Sequence, residues 1–356
     1  MGSRRRKESY ITKALSTKRT ILSKSKILFR TNGGQQTGLG HIMRCLSLAK
    51  AIKQTQKATI IFRINQDIEP LVKAEGFQTQ ITEAYNQQDA TQIINQNPDY
   101  VVFDSYLATS LYLETIQREI PIIQFDDNND IYTPVVANII INGNIHAESL
   151  NYQSKNKNTR FLLGPKYLIM RDTYWQDTEI TKGKGILITT GGSDFLHLMS
   201  KFIQTLQNTT FLKKIIIGPA YEESEIEEIR KLTHHNQTFQ LIHKPTSLKK
   251  HIASSEMVIT AAGSTVYEVL RLRKIPLIYT LADNQKQIDK TLTQNGVVSL
   301  GNHQQLQFDE IHLLKRMHEA TITKKKLENL FDIIDGKGVF RILEKITQKN
   351  ECTPHR

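Results

Sequence analysis

The sequence predicts an α/β protein made of two facing, doubly wound parallel-sheet domains with a cleft between them. Short apolar runs alternate with helical patterns from residue 26 onward, which implies parallel strands covered on both faces. The alternation runs twice, with a polar interruption in between. The Gly-rich turns of interest each follow a strand and open a helix, the arrangement that places ligands beyond the carboxyl ends of strands. A chain of 356 residues accommodates two domains of ordinary size.

In the first half, Ile27-Leu28-Phe29 reads as a strand, followed by a Gly-rich turn and a helix over 41–53. Further apolar runs at 58–64, 100–103, 122–125 and 138–141 read as strands, with helical stretches between most of them. The pattern weakens over 145–160, a polar stretch without apolar period that predicts a long surface loop. Thr181-Lys-Gly-Lys-Gly185 reads as an interdomain linker. The second half gives strands at 186–189, 214–217, 239–242, 257–260 and 277–279, and helices at 197–207, 223–234, 247–254, 265–273 and 285–295. The expected division is a basic, disordered tail (1–25), an N-terminal Rossmann-like domain (26–180), a C-terminal Rossmann-like domain (181–330) and a final helix (331–356) able to pack back on the first domain. No short-period repeat indicates a solenoid.

Composition narrows the function classes. No apolar run approaches the ~20 residues that span a bilayer, and two cysteines, Cys45 and Cys352, cannot build a disulfide scaffold. A reducing, cytoplasmic location follows as the simpler expectation. The net charge of +12 is concentrated at one end: residues 1–30 hold ten cations and one acid, leaving +3 for the remaining 326. The tail suits weak contact with an anionic surface, and the nearly neutral body argues against specific nucleic-acid binding. The tail has no apolar signal core; it is Arg-rich and acid-poor like a transit peptide, and Arg6 stands where a myristoylation site carries Ser or Thr.

Four turns carry candidate chemistry. In the first, Gly33-Gly-Gln-Gln-Thr-Gly-Leu-Gly-His-Ile-Met-Arg44, Gly38 and Gly40 permit close backbone approach. His41 lies at a helix start, where the free N–H groups favour neutral imidazole, the form a general base needs. Arg44, about one turn on, can hold an anion; the bland reading of His41 is a helix-start residue without a role. The spacing is not Gly-x-Gly-x-x-Gly, so dinucleotide binding is not indicated. In the second turn, Gly191, Gly192 and Ser193 can present N–H groups and a hydroxyl to a phosphate, or Ser193 or Asp194 can simply cap the next helix. In the third, Gly263, Ser264 and Thr265 leave room for a diphosphate at a helix N-terminus. Glu268 there can accept from ribose hydroxyls, or close a capping box with Thr265. In the fourth, Asn284 and Gln285 offer amides to a sugar or phosphate. Tyr106, just after the strand at 100–103, adds a phenol. There is no His-Glu-x-x-His, Walker loop or Gly-x-Ser-x-Gly, and no metal or cofactor is called for.

The ordered set Gly38-Leu-Gly-His-Ile-Met-Arg44, Asp104-Ser-Tyr106, Phe125-Asp-Asp127, Gly164-Pro-Lys-Tyr-Leu-Ile-Met-Arg171, Thr190-Gly-Gly-Ser-Asp194, Gly263-Ser-Thr-Val-Tyr-Glu268, Asn284-Gln285 and Asp335-Gly-Lys-Gly338 resembles the UDP-sugar hydrolases of pseudaminic acid biosynthesis and the related spore-coat polysaccharide proteins. The resemblance runs from about residue 26 to 345. It implies a GT-B fold related to the MurG-type glycosyltransferases and removal of UDP from UDP-2,4-diacetamido-2,4,6-trideoxy-altropyranose by water attack at the anomeric carbon. By the same resemblance His41 is the catalytic histidine, Tyr106 and Asn284 stand at the sugar and diphosphate, and Glu268 is the carboxylate near the nucleotide. The chain departs from the family where an acidic residue commonly follows the first strand: it has Thr31-Asn32. An inverting nucleotide-sugar glycosyltransferase and a non-catalytic nucleotide-sugar binding protein stay open as alternatives.

Overall fold

A computed structural model describes residues 25–34, 38–177 and 179–347. The tail at 1–24 and its proposed contacts, Cys352 and the last residues of the 331–356 segment lie outside the described residues.

Near-continuous apolar strands need cover on both faces, and the chain supplies it by crossing over with a helix after almost every strand. In the first sheet these strands are β1 (Lys26–Thr31), β2 (Thr59–Ile64), β3 (Gln78–Ile81), β4 (Tyr100–Asp104), β5 (Ile122–Phe125), β6 (Ile139–Asn142) and β7 (Arg160–Leu163). They are all parallel, in the order β3-β2-β1-β4-β5-β6-β7. The helices of this half are α1 (Gly40–Thr55), α2 (Glu69–Ala74), α3 (Gln87–Asn95) and α4 (Ser110–Gln117). One face of the sheet packs Phe29, Phe62, Val102 and Ile123 against Ile42, Leu46 and Ala49 of α1. The other packs Leu28, Val101, Phe103 and Ile140 against Ile93, Leu113 and Ile116. Each such side chain taken fully from water contributes roughly 1.5–3 kcal/mol before conformational entropy is charged against it.

The second sheet consists of β8 (Ile186–Thr189), β9 (Lys213–Ile217), β10 (Phe239–His243), β11 (Met257–Ala261), β12 (Ile275–Thr280) and β13 (Val298–Asn302), in the order β10-β9-β8-β11-β12-β13. It is flanked by α5 (Leu198–Leu206), α6 (Glu223–Thr233), α7 (Lys249–Ala253), α8 (Ser264–Arg271), α9 (Lys286–Gln294), α10 (Glu310–Thr323) and α11 (Glu328–Ile333). Pro276 is tolerated within β12 because β13 begins to pair only at Leu277, so the missing N–H falls ahead of the second ladder. The final helix α12 (Gly338–Thr347) sends Val339, Ile342, Leu343 and Ile346 into the core of the first domain.

The segment 181–185 is tightly held. A Cβ at Gly183 would lie 1.9 Å from the Ser255 carbonyl oxygen, and Gly185 takes a left-handed φ of +66° against Leu212. The expected loop at 145–160 holds one short 3-10 turn at Ala147–Ser149 and a single bridge from Ser154 to Val135, and its last residue, Arg160, already belongs to β7. Two cations assigned to the tail belong to the body: Lys26 and Arg30 are strand residues. Arg30 is fully buried, paired with Asp89 (3.1 Å) and stacked over Tyr85, and Arg63 reaches the same carboxylate at 2.6 Å.

Candidate active site

In a doubly wound sheet the crevice opens where the strand order reverses. In the first domain this is the gap between β1 and β4, because the chain lays β1, β2 and β3 to one side and β4 through β7 to the other. His41 and Arg44 stand on the first turn of α1, which follows β1. Asp104 ends β4 and Tyr106 follows it; Asp127 lies just beyond β5. Three neighbouring strand ends thus deliver one cluster of side chains.

Asp104 is its hub. The fully buried carboxylate contacts His41 Nδ1 at 2.5 Å and accepts from Arg44 Nε and NH2, each at 2.6 Å. Burial opposes its charge, but Arg44 and His41 outweigh that and hold its carboxyl below the usual range. An ionised carboxylate can only accept, so the geometry assigns the proton to Nδ1 of His41 and the lone pair to Nε2. Among the described residues no protein group hydrogen-bonds Nε2, and 12% of the His41 side chain is exposed.

Arg44 is committed to protein partners. Its NH1 donates to both oxygens of Asp127 (2.8 and 3.0 Å), and against the cost of burial the two carboxylates keep the guanidinium firmly charged. It bridges Asp104 and Asp127. The Tyr106 phenol donates to Asp127 Oδ2 at 2.5 Å, and its ring meets His41 edge-on with centroids 4.6 Å apart. Burial and the Asp127 charge push its ionisation well above the ordinary phenol range, so Tyr106 is a hydrogen-bond donor and cannot serve as a base near neutral pH. Asp127, held well below the usual carboxyl range despite burial by Arg44 and Tyr106, also accepts from Asn144 Nδ2 at 3.0 Å.

In the second domain the strand order reverses between β8 and β11. After β8, Gly191 and Gly192 are exposed, Gly191 has φ +105°, and neither has an atom within 4 Å of where a Cβ would stand. The helix after this turn carries a carboxylate cap. It starts only at Leu198, and the Asp194 carboxylate accepts from the N–H groups of Leu198 (3.0 Å) and Met199 (2.8 Å). Of the two readings of this turn, the capping one describes Asp194. Ser193 is half-buried and takes no part in the cap.

After β11 the outcome is different. Helix α8 starts at Ser264 with Gly263 as N-cap and no side-chain cap, and Ser264 is exposed. A Cβ on Gly263 would meet only Gln285 Nε2, at 3.9 Å. This helix end is open, with the N–H groups of its first turn uncapped by any side chain. The capping box of Thr265 with Glu268 does not form. Glu268, one turn along the same face from Ser264, accepts from the Tyr174 phenol at 2.9 Å, and burial raises its carboxyl above the usual range despite Arg171 and Tyr174. Gln285 folds its Oε1 onto Leu281 N–H at 2.8 Å, and Asn284 is exposed. Sequence reasoning passed over Asp104, Asp127, Asn144, Tyr174 and Tyr267 as site residues; a signal for the first two was an acidic residue directly after a strand.

Two parallel-sheet Rossmann-like domains joined in this way form a GT-B fold. The structure of Acinetobacter baumannii MurG superposes with a TM-score of 0.62 at 16% identity, over 90% of this chain and 99% of that one. Arabidopsis thaliana UGT89C1 complexed with UDP gives 0.64 at 11% identity, over 91% and 100%. No family model matches the chain. By sequence it is similar to an uncharacterised protein of Methanocaldococcus jannaschii, 26% identical over 92% of this chain and 67% of that protein. It is 24% identical to the spore coat polysaccharide biosynthesis protein SpsG of Bacillus subtilis, over 87% and 94%. It is also 24% identical to the UDP-2,4-diacetamido-2,4,6-trideoxy-beta-L-altropyranose hydrolase of Campylobacter jejuni, over 76% and 97%. Among the described residues no helix is long and apolar enough to cross a membrane, and no group of three or more His, Cys, Asp or Glu can hold a metal ion.

Proposed function

We propose that the protein is a nucleotide-sugar hydrolase that releases UDP from a UDP-diacetamido-trideoxy sugar in surface-polysaccharide or nonulosonic acid biosynthesis. The observation that carries the reading is the buried, ionised Asp104 against Nδ1 of His41, which leaves Nε2 as proton acceptor at the cleft. The similarity to a UDP-sugar hydrolase and to a UDP-complexed GT-B structure supports the substrate class.

In this mechanism the diphosphate lies at the open N-terminus of α8, with Glu268 toward the ribose. A water oxygen attacks the anomeric carbon from the face opposite UDP. His41 Nε2 takes a water proton as the bond forms, the bond from that carbon to the diphosphate oxygen breaks, and UDP leaves with the electron pair. Attack opposite the leaving group inverts the anomeric centre. Asp104 stabilises the imidazolium that appears, and the N–H groups of α8 stabilise the charge on the departing diphosphate. Tyr106 and Arg44 hold Asp127 and Asp104 in place. Diphosphate is already a good leaving group, so no carboxylic acid at glycosidase spacing is required. Asn284 and Gln285 are assigned to the sugar or diphosphate side, with Gly40, Gly191, Gly192, Ser193, Ser264 and Thr265 lining the substrate path.

One feature favours a second reading, transfer to an acceptor. Leu39, Leu107 and Leu111 are 48%, 57% and 62% exposed on the segments that follow β1 and β4, at the sheet edge that carries His41. Apolar side chains at that edge suit an acceptor with an apolar part. Incubating the protein with a panel of UDP-diacetamido sugars and measuring free UDP separates the readings. Release in buffer alone is expected; release that requires an added hydroxyl acceptor would establish transfer; UDP binding without release from any sugar would refute both.

A further inference from the structure

The two domains meet at a polar contact that leads straight to the His41 cluster. Tyr267 is buried on α8, three residues beyond Ser264 and beside Glu268. Its phenol crosses to the first domain, where it accepts from the Ile145 N–H at 3.2 Å and stands 3.5 Å from Asn144 Oδ1, the outer limit for donation. Asn144 in turn donates from Nδ2 to Asp127, Asp127 holds Arg44, and Arg44 holds Asp104 against His41. An unbroken series of hydrogen bonds and ion pairs thus runs from the helix that opens on the diphosphate to the imidazole.

We infer that Tyr267 is a positioning residue that couples nucleotide seating at α8 to the alignment of His41. The inference rests on the proposed UDP-sugar reading for its ligand, and on the observed contacts for its path. Three features favour coupling over mere domain adhesion. The Tyr267 ring is buried in the apolar cluster that holds Val258, Val266 and Leu270 of its own domain, and its backbone is part of α8. Asn144 offers each of its amide groups to a different domain, and rotation of that amide would break both contacts. Asp127 gathers Arg44, Tyr106 and Asn144 on one carboxylate, so a displacement of Asn144 is felt by the two groups that frame His41. Packed hydrogen-bonded chains with discrete arrangements are what carry such coupling, and only a perturbation of both ends shows it.

The test uses the full chain, UDP as probe, and Tyr267→Phe, which removes the hydroxyl and keeps the buried ring. In the wild type, UDP is expected to slow amide hydrogen exchange both at 263–268 and at 39–44. In Tyr267→Phe the first protection should persist and the second should disappear, with Tm shifted by only a few degrees. With a UDP-sugar that the wild type turns over, kcat should fall about tenfold at unchanged KM. Asn144→Ala combined with Tyr267→Phe should be no slower than the slower single variant. UDP protection confined to 263–268 in the wild type, or protection at 39–44 that survives in Tyr267→Phe, would overturn the coupling. A wild type that spreads the protection yet releases UDP from no sugar would sustain the coupling while refuting the hydrolytic reading.

Discussion

His41→Asn isolates the proton acceptor from everything else the histidine does. An asparagine amide places its Nδ2 close to where the imidazole Nδ1–H lies, so it can still donate to Asp104, and Arg44 keeps both carboxylates. The variant loses the edge-on ring contact with Tyr106, a matter of roughly 1 kcal/mol. It also loses Nε2. General-base catalysis is worth about 10²–10⁴ in rate, or about 3–5 kcal/mol of barrier at 1.36 kcal/mol per tenfold. The kinetic loss therefore exceeds the loss in stability by a wide margin. The assay is UDP release at saturating UDP-sugar, alongside UDP affinity by calorimetry and thermal melting. Expected are near-normal UDP binding, a Tm within several degrees of wild type and a kcat lower by at least about a hundredfold. A kcat within tenfold of wild type would refute the base assignment, and Tyr106 could not take over, since Asp127 and burial keep its proton on. Loss of UDP binding would instead recast His41 as a phosphate ligand.

Glu268→Ala should weaken UDP binding by about 1–3 kcal/mol in titration calorimetry, the scale for hydrogen bonds to a charged group; unchanged affinity would remove it from the nucleotide site. Asp194→Ala should cost about 0.5–2 kcal/mol of stability through the lost cap of α5 and leave UDP affinity intact, whereas weakened UDP binding would return that turn to the phosphate. Lys213 is fully buried, donates to Leu206 and Thr209 oxygens, and is lowered by burial to about 8. A depressed lysine costs stability in full below its folded value, and the cost fades as pH climbs toward the unfolded 10.5. Urea-unfolding stability of the wild type should accordingly rise relative to Lys213→Met between about pH 8 and 10; parallel curves would contradict the burial argument.

Apolar runs disclosed the central strands because these are covered on both faces and cannot afford polar interruptions. The strands that escaped, β3, β7 and β13, are all at sheet edges. Gln78-Thr-Gln-Ile81 and Arg160-Phe-Leu-Leu163 face water on part of their surface, so no continuous apolar run marks them. At the site, His41, Tyr106 and the Gly263 turn were visible as local patterns. The hub was not: Asp104 and Asp127 look like ordinary polar residues after a strand, and only the adjacency of β1, β4 and β5 brings residues 41, 44, 104 and 127 together. The two glycine turns of the second domain show the converse limit. Both read as phosphate loops, and what separates them is whether a carboxylate four residues before the helix folds back onto its N–H groups, as Asp194 does and nothing at α8 does.

The charges of the two domains also fix which way a nucleotide sugar would lie under the proposed reading. With His41 neutral, the cluster sets two carboxylates, Asp104 and Asp127, against the one guanidinium of Arg44, while the Tyr106 phenol stays protonated. That excess of negative charge repels a diphosphate, and Arg44 is already paired with both carboxylates. The opposite wall presents the uncapped, partly positive start of α8. The diphosphate then belongs to the second domain and the uncharged sugar to the first, with the anomeric carbon carried toward Nε2. Uptake of a proton by His41 brings the cluster to neutrality at the moment the departing UDP gains charge on the other side. Each domain thereby stabilises the charge change that falls to it, and the Asn144–Tyr267 contact is where the two walls are held in register.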